Sequence, residues 1–170
     1  MATLPHFIKQ GNFIADGYGL IGKIENVKLP DLKHKTEEWR GGGMPGDIDV
    51  EVGFEKLTFP FKIGGVDTRI FKTYGLRVGA VKPFQVLGHA VAEDTEETMG
   101  VAAYMRGKLL ELELDEIKAG SPGMLSGVVA LHYYRLLINE EEMIEYDPIN
   151  LVHKIGGVDQ LAATRANLGL

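Results

Sequence analysis

Residues 37–46 read Glu37-Glu38-Trp39-Arg40-Gly41-Gly42-Gly43-Met44-Pro45-Gly46, and Asp47 then opens a segment of alternating polar and apolar residues. By spacing alone, Gly41-x-Gly43-x-x-Gly46 matches the dinucleotide-binding glycine pattern. That chemistry needs a helix N-terminus behind the glycines, so that free N–H groups and the helix dipole face a pyrophosphate. Here Val50, Val52 and Phe54 alternate with Asp49, Glu51 and Gly53, a period of two that belongs to a strand. The glycines therefore close a long hairpin excursion at about residues 31–47. A tryptophan at such a tip is costly to leave in water, which predicts that the loop docks on something.

Working outward, the dominant signal is strand. A hairpin is predicted to turn at Ala15-Asp16-Gly17. Downstream of the excursion the apolar phase switches from even (Val50, Val52, Phe54) to odd (Leu57, Phe59, Phe61, Ile63). One strand with a bulge near Glu55-Lys56 is the economical reading. Pro60 favours a sheet edge or strand end. Val66, Ile70, Phe71 and Tyr74 follow helical spacing and Gly75 closes that segment. Strands are then predicted over about Phe84–Val91, Thr98–Leu114, Leu125–Ile138 and Met143–Tyr146, followed by a short helix from Asp159. The expected fold class is mainly β: one domain over residues 1–170, an antiparallel β-sandwich or barrel-like unit with one flanking helix and a short C-terminal helix.

Composition excludes several functions. With 18 basic and 24 acidic residues the net charge is −6, and no basic cluster appears, which argues against tight nucleic-acid binding. The absence of cysteine removes disulfides, thiolate metal sites and cysteine nucleophiles together. Residues 1–6 show neither the basic nor the apolar region of a secretion signal. No apolar run approaches the roughly 20 residues needed to span a bilayer as a helix.

Catalytic patterns are missing as well. No Gly-x-Ser-x-Gly elbow exists, and His6, His34, His89, His132 and His153 are scattered without metal-ligand spacing. The acidic cluster Glu140, Glu141, Glu142 and Glu145 reads as a solvated charge run at a turn rather than a hydrolytic pair. The expectation is a non-enzyme with no cofactor and no metal. One strand stands apart: Leu110, Leu112 and Leu114 alternate with Glu111, Glu113 and Asp115, predicting one apolar face and one row of like charges.

From end to end the chain resembles the major tail tube protein family of contractile-tailed bacteriophages, shared with R-type bacteriocins. The resemblance rests on Leu29-Pro30-x-Leu32, Glu37-x-x-Arg40-Gly41-x-Gly43-Met44-x-Gly46, Met105-Arg106-Gly107, Tyr134-Arg135-Leu136 and Glu145-x-Asp147-x-Ile149-Asn150. It closes on Gly157-Val158-Asp159-x-Leu161 and Arg165-x-Asn167-x-Gly169-Leu170. Two departures stand out: the family more often shows basic, alternating Lys/Arg character after Leu32, and Trp39 replaces another aromatic. The resemblance implies the tail-tube fold and a structural virion protein, assembled in the host cytoplasm, whose hexameric rings stack into a hollow tube. It implies a sheath outside, a tape measure protein and then DNA in the lumen without tight binding, baseplate and tail terminator proteins at the ends, and no membrane anchor. A tube of a related contractile injection or bacteriocin particle is the nearest alternative. A monomeric β-sandwich that binds a ligand through Trp39 and Arg40 is a more distant one. On this reading Glu37, Trp39, Arg40, Gly41, Gly43, Met44 and Gly46 form an inter-ring stacking loop. Glu111, Glu113 and Asp115 are the candidate lumen-facing acidic row.

Overall fold

A computed structural model describes residues 4–75, 77–116 and 118–170. The part of the leader reading that rests on Met1–Thr3 lies outside the described residues. The strands in chain order are β1 (His6–Ala15), β2 (Tyr18–Gly19), β3 (Ile24–Val27), β4 (His34–Trp39), β5 (Ile48–Phe54) and β6 (Thr58–Gly64). After helix α1 (Thr68–Phe71) come β7 (Lys82–Ala92), β8 (Thr98–Leu114), β9 (Met124–Ile138), β10 (Glu141–Asp147), β11 (Val152–Ile155) and β12 (Val158–Asp159). Helix α2 (Ala162–Leu168) follows the last of these strands.

Ten strands form one antiparallel sheet, eight of them in the order β12-β11-β10-β9-β8-β7-β1-β2 with β6 and β3 off that path, and β4-β5 form a separate ribbon. The sheet forks at β9. One edge of β9 pairs with β8 from Leu125 to Ile138, whereas the other pairs with β6 over Met124–Ala130 and with β10 over Tyr134–Ile138. Strand β3 then adds outside β6. The path from β3 through β6, β9, β8 and β7 to β1 coils on itself. Phe13 of β1 thereby meets Phe59 and Phe61 of β6 at ring distances of 5.4 and 5.0 Å, although the two strands are not hydrogen-bonded. Phe84, Met105, Leu109, Leu125, Val129 and Tyr134 complete this core. The result is the mainly β, barrel-like class expected.

Two bulges produce the coiling. Arg106 pairs with Tyr133 and Gly107 with Leu131, leaving His132 extra on β9. Leu109 pairs with Val129 and Glu111 with Val128, leaving Leu110 extra on β8. Each bulge bends its strand and increases local twist. The flanking helix is a single turn rather than the longer segment spaced from Val66 to Tyr74. Asp67 caps it by accepting from the Arg69 N–H at 2.9 Å, and Ile70 is buried beneath it. The predicted turns hold where two-residue loops need positive φ. Asp16-Gly17 have φ of 48° and 84° between Ala15 and Tyr18, and Asn139-Glu140 have 50° and 68° between Ile138 and Glu141.

The single bulged strand expected around Glu55-Lys56 is instead two strands in different sheets. Residues 55–57 carry the chain from the ribbon into the core, and Leu57 is buried as the first apolar residue of the new phase. Pro60 lies inside β6, which pairs with β9 along its whole length and with β3 only from Phe61 to Ile63. Its carbonyl accepts from the Lys28 N–H at 3.2 Å, just beyond the end of β3. The donor that proline lacks would point to that same side, where β3 has already stopped.

Candidate assembly surfaces

The ribbon carries the residues that the sequence singled out around Trp39. Trp39 pairs with Ile48 and Glu37 with Val50 on one face, while Glu38 pairs with Asp49 and Thr36 with Glu51 on the other. Alternation of side chains along both strands makes the ribbon two-faced, one side apolar but for Glu37 and the other acidic. Every β4 residue is exposed, and Trp39 keeps 61% of its surface in solvent. At the tip the Met44 N–H donates to the Gly41 carbonyl at 3.2 Å, and the Gly41 N–H donates to Met44 Sδ at 3.1 Å. Arg40 lies 3.8 Å from Asp47, an exposed pair of little energetic consequence. Glu37, Trp39, Arg40, Gly41, Gly43, Met44 and Gly46 thus sit together at one projecting end. No helix follows the glycines, so the nucleotide reading fails in the fold as it does in the sequence.

The ribbon is anchored at its base by a contact the sequence did not signal. The Phe54 ring lies 4.5 Å from His34, 5.1 Å from Tyr146 and 4.6 Å from His153, with His34 Nδ1 2.6 Å from a Glu51 oxygen. Burial foremost, then the neighbouring His34, pushes His153 below its ordinary 6.5, while Glu51 and Asp159 pull the other way. A neutral imidazole favoured in the fold gives stability that is present above pH 6.5 and lost as the pH falls through the lower folded value. Acidification from pH 7 to 5 is therefore expected to lower the urea midpoint more in the parent than in His153→Phe. Equal losses in both would show that His153 is not a source of the pH sensitivity.

The acidic row lies on the outward face of β8. Glu111 pairs with Val128 and Glu113 with Ser126, and Asp115 follows the strand end. The row is not a plain line of carboxylates. Lys62 of β6 reaches Asp115 at 3.1 Å and Glu25 at 3.9 Å, and the hydrogen bond with Asp115 raises the Lys62 pKa. Toward the strand start the outward positions become Lys108, Arg106 and Tyr104, with the Arg106 guanidinium 4.4 Å from the centre of the Tyr133 ring. This face therefore has a basic band beside an acidic band. The expected apolar face of Leu110, Leu112 and Leu114 also needs correction. The bulge turns Leu110 outward to 54% exposure, and Leu114 is likewise exposed.

The glutamate cluster is not a free charge run throughout. Glu142 accepts from Arg135 at 2.7 Å, and Glu145 accepts from Lys154 at 2.6 Å and from the Tyr133 hydroxyl at 2.9 Å. The Lys154 hydrogen bond holds Glu145 below its ordinary value, and burial foremost, then Glu145, pushes the Tyr133 phenol up to about 12. These groups hold β9, β10 and β11 together. Among the described residues no group of three or more His, Asp or Glu is arranged to hold a metal, and no helix is long and apolar enough to cross a membrane.

Besides the outer edges of β2, β3, β12 and the ribbon, β1 and β8 leave edges open among the described residues. Strand β1 pairs with β7 on one side and touches β2 only at Ile14 and Ala15, so its outer edge from His6 onward has no partner. Phe7 and Ile8 are exposed there. The β7 ladder on β8 ends at Gly107, so beyond the Tyr74–Leu109 bridge β8 has only β9. Open edges are templates for pairing with another chain.

A model of the family described as phage tail tube protein FII matches residues 5–169. The chain is 34% identical over 171 residues to the tail tube protein of Escherichia phage P2, covering 99% of each. It is 29% identical over 157 residues to the major tail tube protein of Serratia phage KSP20, covering 91% of this chain and 90% of that one. In fold it is similar to a chain of the sheath–tube complex of PVC, an extracellular contractile injection system. That match has a TM-score of 0.59 at 11% identity over 79% of this chain and 91% of that one. It is also similar to the tube-terminating cap of the anti-feeding prophage, with a TM-score of 0.59 at 12% identity over 82% and 93%.

Proposed function

The chain belongs to the phage tail tube protein FII family, whose members are structural components of the virion tail and not enzymes, and from that premise we propose that it assembles into hexameric rings stacked as a hollow tube. The observation that carries this reading is the pair of open edges on β1 and β8, each on a long strand whose other side is fully laddered. Joining such edges between copies is a heterologous contact, and rotation closes it into a ring that covers both of them in every copy. The projecting ribbon then supplies a second contact along the axis, which turns rings into a tube. A sheath surrounds it, and the lumen holds a tape measure protein and later conducts DNA.

Negative-stain electron microscopy across a concentration series tests the assembly. Rings or hollow tubes are the expected product; featureless monomers at every concentration would overturn self-assembly through these edges.

The outward face of β8 is the proposed lumen lining. Its carboxylates repel phosphate over about 8 Å at physiological salt, and its cations stand close enough to limit that repulsion to a band. Glu111→Lys with Glu113→Lys extends the basic band over the acidic one. Tubes are expected in normal yield, with genome delivery reduced on the order of tenfold or more because each added cation is a phosphate contact. Unchanged delivery would place this face away from the lumen.

A further inference from the structure

We propose that the acidic ribbon of one copy docks on the basic, apolar surface that surrounds α1 in the copy stacked next to it. The inference rests on the stacked-ring reading and names the acceptor surface that reading lacks.

The donor is incomplete by itself. Glu38 and Asp49 stand directly opposite each other in the ribbon, and like charges at opposed positions are destabilising. Among the described residues neither has a cation partner, nor does Glu37; the ribbon's ion pairs are His34 with Glu51 and Arg40 with Asp47. The reverse face exposes Trp39, Ile48 and Val50. An acid pair set back to back with an apolar stripe calls for a partner that offers both cations and apolar surface.

The α1 segment offers both. Between residues 66 and 82 Asp67 is the one acidic residue; it is buried and held by Lys23 and Arg69. Lys72 and Arg77 are exposed, and neither forms an ion pair among the described residues. Exposed Phe71, Tyr74 and Val78 lie among them. Placement fits as well as chemistry. The ribbon enters the body just before the first residue of β6, and α1 follows just after its last, so the two surfaces lie at opposite ends of a strand about 20 Å long. Complementary surfaces at opposite ends of a subunit join copies head to tail and leave a free donor and acceptor at each end of the stack.

Charge reversal decides it. Glu38→Lys with Asp49→Lys, and separately Lys72→Glu with Arg77→Glu, are each expected to raise the concentration at which tubes appear on the order of tenfold or more while rings still form. Combining all four substitutions is expected to restore tubes. Because the chain has no cysteine, a second test crosslinks Glu38→Cys to Lys72→Cys in one chain under oxidation, and tubes should give a ladder of covalent oligomers. Tubes at the parental concentration from both reversed variants, or no recovery in the fourfold variant, would overturn this acceptor and leave the tube reading standing. A parent that makes neither rings nor tubes would remove both.

Discussion

Replacing Gly107 with alanine is expected to cost the isolated subunit about 3 kcal/mol or more, at the upper end of what overpacking does. Gly107 occupies the first of the two β8–β9 register shifts. A Cβ there would press well inside contact distance of the Ala130 carbonyl oxygen and stand 3.0 Å from Leu131 Cα. Both obstacles are main chain and are held by the ladder on either side, so no side-chain rotation relieves them. At Gly127 a Cβ would instead meet the tip of the Phe61 ring at 2.6 Å, a group that can shift with some core repacking. Gly107→Ala should therefore lose more stability than Gly127→Ala when urea midpoints are compared by circular dichroism. A Gly107→Ala midpoint equal to that of the parent would mean that the two strands separate more easily at the bulge than their pairing implies.

Trp39→Ala is expected to leave the subunit folded and to abolish long tubes. The side chain touches little of its own body, so the monomer midpoint should barely move. Burying a large aromatic against a neighbour contributes about 2 kcal/mol. In the proposed six-fold ring that loss recurs at every copy in a joint, and stacking responds to the total. Rings without tubes in the electron microscope, with an unchanged urea midpoint, are the expected result. Tubes of parental length and yield would exclude Trp39 from the axial contact.

Much of the fold was readable because its strands are long and regular. Strand β8 was expected over Thr98–Leu114 and occupies those residues, and Asp16-Gly17 and Asn139-Glu140 turn where their chemistry says they should. The glycine-rich tip of the ribbon was legible for the same reason. Features that depend on distant partners were not. The shift in phase after Phe54 marks a change of sheet, and a sequence shows only the change of phase. The Leu110 bulge hides because Leu109 through Leu114 still alternates acceptably once a single residue is skipped. Arg106 and Lys108 join the acidic row on one face only through strand pairing. The anchor of Phe54 between His34 and His153 brings together three residues far apart in the chain. Strands β11 and β12 escaped notice because each is short and polar enough to pass for a loop.

The register also sets the order in which the subunit becomes whole during synthesis. His6 pairs with Ala92 and Thr58 with Ala130, so β1 and β6 leave the ribosome long before their partners. Strands β7 to β10, by contrast, are neighbours both in the chain and in the sheet. Closing short loops costs less entropy than closing long ones, so this meander forms first and the amino-terminal strands are laid onto it afterwards. The β1 edge exists as a strand only once β7 has been made. A nascent or truncated chain thus has no β1 edge to present, and polymer growth draws on finished subunits alone.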